Sequence, residues 1–164
     1  RGEMLEAMDH WSRALDIDPR ELTALYNLSL ALIQQGEHRE AVRLLRQGLV
    51  VAPNSSRLVS LLAWELATAP DADLRDAEEA ERLARRTFDA YPGQAQPADV
   101  LAAVLAAQGR FEEAAALAER AVGQARGAGQ HQLAAQIGRR LDLYRRRQVF
   151  LQSGTGAGIS PQQG

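Results

Sequence analysis

Three histidines, a run of acids, a glycine-rich phrase and a set of clustered arginines are the residues of this 164-residue chain whose types could do chemistry. His10, His38 and His131 lie far apart, and only His10 has a carboxylate at helical spacing, in Glu6. A metal site on a helix needs two or more such ligands on one face, and a lone pair of this kind reads as a surface contact. Glu78, Glu79 and Glu81 flank a helix start and read as a solvated first turn, where acids complement the positive end of the helix dipole. Gly154-Thr155-Gly156-Ala157-Gly158 has the composition of a phosphate loop but lacks the preceding strand, the following helix and a lysine. No serine, histidine and aspartate can be ordered around a nucleophile turn. With no cysteine in the chain, disulfides and thiolate metal sites are excluded, and the compartment stays open. The expectation is a chain without catalytic residues, metal or other cofactor.

The arginines carry a charge asymmetry. All 19 basic residues are arginine, and the formal net charge is −2. With abundant alanine this suggests a GC-rich, bacterial genome. Residues 126–164 carry +5 and residues 1–125 carry −7. Arg139, Arg140, Arg145, Arg146 and Arg147 make the last helical segment basic, which could attract nucleic acid or a lipid surface. Arginines near a helix C-terminus also favour its dipole, and the second reading is preferred here. Nucleic acid is therefore disfavoured as a partner. No apolar run approaches the roughly 20 residues that span a bilayer, so membrane contact would come only through a region upstream of this chain.

The elements that would position any site repeat. Pro19, Pro53 and Pro92 end similar phrases and are spaced by 34 and 39 residues. Ala7, Ala41, Ala80 and Ala114 follow the same register, and Gly2, Gly36 and Gly109 fit it too. A period of this size marks a stacked helical array. Leu25, Leu28 and Leu32 recur on one helix face, Ser29, Ala63 and Ala102 allow close approach, and Gly36 and Gly109 stop helices. The five extra residues of the third unit fall between Leu62 and Ala80, where Ala69–Asp76 gathers turn formers. Asp76 and Glu79 read as a capping pair that restarts the helix. Strand alternation is absent.

Leu25-x2-Leu28-Ser29-x2-Leu32, Gly36, Ala41-x3-Leu45, Gly48 and Pro53 resemble the tetratricopeptide (TPR) pattern. Units three and four match through Val59, Leu62, Ala63, Leu66, Ala80, Thr87 and Pro92, and through Ala98, Leu101, Ala102, Leu105, Gly109, Ala114, Ala118 and Ala121. The resemblance covers about Gly2 to Ala125, with Ala84 and Ala118 where a bulky residue is usual. It implies an all-α, right-handed superhelix of antiparallel helix pairs. The expected organisation is an array over 1–148. It comprises a half repeat at 1–20, repeats at 21–54, 55–93 and 94–126, and a capping helix at 130–148. A disordered tail follows at 149–164.

The half repeat leaves an apolar face at Leu5, Met8, Trp11 and Leu15, which suggests the C-terminal part of a larger bacterial protein, or self-association through that helix; the alternative is a terminal half repeat acting as a cap. In the family, first helices line the concave face that binds peptides. The candidate contacts are Tyr26, Asn27, Leu30, Ile33, Leu61, Trp64 and Val100. The groove lacks the lysines of a two-carboxylate clamp, and Leu61 and Val100 stand where an asparagine ladder would need asparagine. An apolar groove fits an amphipathic helix or apolar peptide, with Trp64 the leading anchor or a packing residue. The function expected is a non-catalytic scaffold that binds a protein or peptide segment. The alternative is an appendage that positions or regulates an upstream enzymatic or membrane domain. That alternative rests on the phrases around Trp64 and Leu74, which resemble repeats near the C-terminal ends of larger bacterial proteins, some with sulfatase-like or membrane glycosyltransferase domains.

Overall fold

A computed structural model describes residues 2–153. Among these residues the regular elements are all helical: α1 (Gly2–Ile17), α2 (Leu22–Gln35), α3 (His38–Val51), α4 (Ser56–Thr68), a short 3-10 turn (Ala72–Leu74), α5 (Ala77–Ala90), α6 (Ala95–Ala107), α7 (Phe111–Gly127) and α8 (His131–Arg145). Each helix packs against the next, and α4 touches α6 across the array, as α6 touches α8. This is an all-α superhelix in which no pair can bury its apolar face without its neighbours.

The turn between paired helices recurs as one hydrogen-bonded device. The Leu32 carbonyl accepts from the Glu37 N–H at 2.8 Å, and the Leu105 carbonyl accepts from the Arg110 N–H at 2.9 Å. Gly36 (φ 81°) and Gly109 (φ 78°) supply the left-handed conformation that this closure requires. In the third unit Pro70 stands where the glycine would be, and α4 ends at Thr68. The Leu66 carbonyl, at the same repeat position, still receives its bond, now from the Asp76 N–H at 2.9 Å. The insertion is thus looped out and the register restored across it. Arg39 of α3 holds the loop through Asp71, whose carboxylate also accepts from the Asp73 N–H at 3.0 Å. Asp76 caps α5 by accepting from the Glu79 N–H at 2.9 Å, whereas the Glu79 carboxylate turns to Arg46 at 2.7 Å. Only half of the expected reciprocal box forms, because a charged partner on α3 outcompetes a backbone amide.

The prolines have a second role. The carbonyls of Pro19, Pro53 and Pro92 each accept a 2.7 Å bond from Gln47, Arg86 and Arg120 respectively. These three donors occupy one repeat position, so each second helix is tied to the loop that closes the unit before it.

The core is carried by small residues. Ser29, Ala63 and Ala102 are fully buried, as are Ala41, Ala80, Ala84, Ala114 and Ala118. Leu62, Leu66, Leu101 and Leu105 are buried too, while Leu28 and Leu32 at the same positions of the first full repeat remain half-exposed. The difference follows from stacking, since α2 has only α1 on its upstream side. Helix α1 buries none of its residues completely, and Leu5 is 61% and Ile17 87% exposed. At the other end Ile137, Leu141 and Tyr144 of α8 join the core.

The first residues of the expected tail lie against the array. The chain turns at Arg147 (φ 57°), the Gln148 N–H bonds the Leu143 carbonyl at 2.9 Å, and residues 149–153 run back to α4. Specific hydrogen bonds and an aromatic contact, given below, offset the ordering cost of a glutamine-bearing segment. The remainder, 154–164, including the glycine-rich phrase, lies outside the described residues.

Candidate functional site

Helices α2, α4, α6 and α8 line one side of the array and enclose a cleft of about 260 Å³. Tyr26, Leu30, Leu61, Trp64 and Val100 all border it, together with Arg57, Ser60, Gln96 and Asp99. The side chains lie at repeat-equivalent places because each first helix presents the same face to this cleft. Leu30 and Trp64 occupy one register position, and Leu61 and Val100 another. Asn27 lines an adjoining hollow with Thr23, Ser55 and Arg57. Ile33 is half-buried and borders neither space. Val100 is almost fully covered, so it forms floor and not rim.

Sequence periodicity misses the residues that α8 brings to this cleft: Leu133, Gln136 and Arg140. Arg140 donates to Asp99 twice, from Nε at 3.0 Å and from a terminal nitrogen at 2.6 Å, with both side chains buried. Its guanidinium stands 5.1 Å from the centre of the Trp64 ring and 5.5 Å from that of Phe150, and the two rings are 5.5 Å apart. Trp64 therefore packs on its own chain at one side while bordering the cleft. Burial raises the Asp99 carboxyl above its ordinary value, against the pull of the Arg140 charge. The same burial, with Asp99 nearby, raises the Tyr144 phenol. The Tyr144 hydroxyl is buried with no hydrogen-bond partner among the described residues.

Three of the six arginines at the basic end of the chain meet acids within the fold. Arg140 pairs with Asp99, Arg145 with Glu119, and Arg147 with Glu112. Of the acids at the start of α5, Glu78 is exposed, while Glu79 and Glu81 are engaged. Glu79 meets Arg46, and Glu81 meets Arg85, Arg110 and Gln108.

His38 has a carboxylate partner that helical spacing cannot reveal. Its Nδ1 lies 2.8 Å from the Glu65 carboxylate, with both groups buried. Among the described residues no group of three or more potential ligands could hold a metal ion, and no helix is long and apolar enough to cross a membrane.

Tetratricopeptide-repeat family models match residues 1–65 and 98–123. The chain belongs to the tetratricopeptide-repeat family. The solved structures similar to this repeat protein include a crystal structure of MamA, with 15% identity, 89% of this chain and 91% of that chain covered, and a TM-score of 0.62. A MamA fragment from Desulfovibrio magneticus RS-1 has 17% identity, coverage of 90% and 89%, and a TM-score of 0.63. MamA of MSR-1 has 19% identity, coverage of 89% of each chain, and a TM-score of 0.60. At such identities the likeness is one of fold. No curated protein matches this repeat chain. The TPR array is a protein–protein interaction scaffold, and a protein is the class of partner it serves.

Proposed function

We propose that the chain binds a segment of another protein, without catalysis, in the cleft between its first helices. The carrying observation is the convergence of Tyr26, Leu30, Leu61 and Trp64 on one cleft edged by Arg57, Gln96 and Gln136. Apolar side chains supply anchoring area, and the polar edge orients a backbone or a polar flank. At about 260 Å³ the space is below the range of enclosed small-molecule sites and matches a few side chains entering from a longer ligand. Peptides selected by display against the chain should bind, and Leu30→Asp or Leu61→Asp should weaken them at least tenfold, about 1.4 kcal/mol, while helix content is kept. Selected peptides that bind both variants unchanged would place the binding face elsewhere.

A second reading concerns α1. Its half-bare apolar face, with Leu5 61% exposed, supports self-association of the chain. Light scattering across a dilution series should show a mass that rises with concentration, and Leu5→Glu should return it to the monomer value. A monomer mass at every concentration would remove this reading.

A further inference from the structure

Residues 149–153 are seated on α4 as a bound peptide would be. Their side chains alternate: Val149 and Leu151 are 42% and 41% exposed, while Phe150 and Gln152 turn inward. Phe150 meets Trp64 and the Arg140 guanidinium. The Gln152 N–H bonds the Thr68 carbonyl at 2.8 Å, and its side-chain amide donates to the Glu65 carboxylate at 2.6 Å and to the Thr68 hydroxyl at 2.9 Å. An extended ligand with one main-chain bond and alternate side chains in pockets is a recurrent mode of peptide recognition.

The receiving residues are departures from the repeat. Glu65 stands where the neighbouring repeats place Ala31 and Val104, both buried and apolar. A fully buried carboxylate costs stability unless it is partnered. Here His38 takes one oxygen and Gln152 the other. Thr68 stands where the other repeats have Gln34 and Ala107, and its hydroxyl is fixed by donating to the Trp64 carbonyl at 2.7 Å. Packing alone demands neither polar group, and both are aimed at an amide.

We propose that the end of the groove formed by α4 and α8 is a receptor for an extended protein segment that carries an aromatic residue and, two positions on, a glutamine, and that residues 149–153 fill it in cis. This rests on reading the concave side as the binding face, and it adds the partner's chemistry and its regulation. A trans ligand must displace the chain's own segment, which competes at the high effective concentration of a short tether. Displacement also uncovers the Trp64 ring beside Leu61, which joins this end to the cleft.

The test uses the full chain and a labelled peptide with the sequence of residues 148–153, followed by fluorescence anisotropy. A Phe150→Ala/Gln152→Ala chain should bind the peptide saturably, and the natural chain should bind it at least about tenfold more weakly because of the competing tether. A peptide with alanine in place of the phenylalanine and glutamine should not bind, and Trp64→Ala in the vacated chain should abolish binding. Equal binding to natural and vacated chains, or none to either, overturns the proposal. Loss of helical structure in both the double variant and Gln152→Ala alone overturns it too, since the segment would then be a structural closure. None of these results bears on Leu30 and Leu61, whose variants test the wider groove separately.

Discussion

Removing the Asp99 carboxylate should loosen the α6–α8 end of the array. Asp99 and Arg140 make a bidentate pair at 3.0 and 2.6 Å, and their side chains are 6% and 10% exposed respectively. Truncating one partner of such a pair generally costs about 3–5 kcal/mol, mainly because the other charge is left buried. In Asp99→Ala the arginine keeps the faces of Trp64 and Phe150, 5.1 and 5.5 Å away, which offsets about 1–2 kcal/mol. The expected net loss is therefore about 1–4 kcal/mol, and a chain of this length would melt about 2–16 °C lower. Because repeats couple to their nearest neighbours, the loss should appear first as faster amide exchange in α6, α7 and α8, with α2 and α3 little changed. Urea denaturation of Asp99→Ala, Arg140→Met and the double variant gives the coupling directly. The double variant should lose less than the sum of the singles, by about 1–3 kcal/mol, and a coupling under about 0.5 kcal/mol would refute this account of the pair.

Tyr144→Phe should be neutral or stabilising by up to about 1 kcal/mol in chemical denaturation, because it removes a buried hydroxyl that has no partner among the described residues. Gly48→Ala should destabilise: a Cβ there would lie 2.8 Å from Leu58 Cδ1 in the packed core, so about 1–3 kcal/mol of overpacking outweighs the roughly 1 kcal/mol of helix propensity gained. Gln108, then Arg85 and Arg110, hold the Glu81 carboxyl below its ordinary 4.5. That contribution is complete above pH 4.5 and is lost as pH falls through the lower folded value. The urea-midpoint advantage of the natural chain over Glu81→Gln should therefore vanish on acidification; an advantage unchanged at acid pH would refute the assignment. Asp99 acts with the opposite sign: burial raises its carboxyl, so its contribution is present below the ordinary 3.8 and fades as pH rises through the folded value.

Much of the scaffold is legible in the chain because its determinants are local and repeat. Apolar residues at steps of three and four define a helix face, Gly36 and Gly109 mark left-handed turns, and Pro19, Pro53 and Pro92 bracket the units. The same register placed Tyr26, Leu30, Leu61 and Trp64 on one side. It could not show that Ile33 borders no cleft or that Val100 is almost covered, since both depend on how far neighbouring helices close over them. Glu79 and Glu81 looked solvated because Arg46 and Arg110, which meet them beside the nearby Arg85, are distant in sequence.

The sequence by itself determined that helices stack, in what register they repeat, and where Gly36 and Gly109 stop them, since each of these is set within one or two turns of the chain. Only the tertiary structure decided what α4 receives. Glu65 and Gln152 are 87 residues apart, and Asp99 and Arg140 are 41 apart. No periodicity links such pairs. They meet because the stack brings α8 beside α6 and the turn at Arg147 sends the chain back to α4.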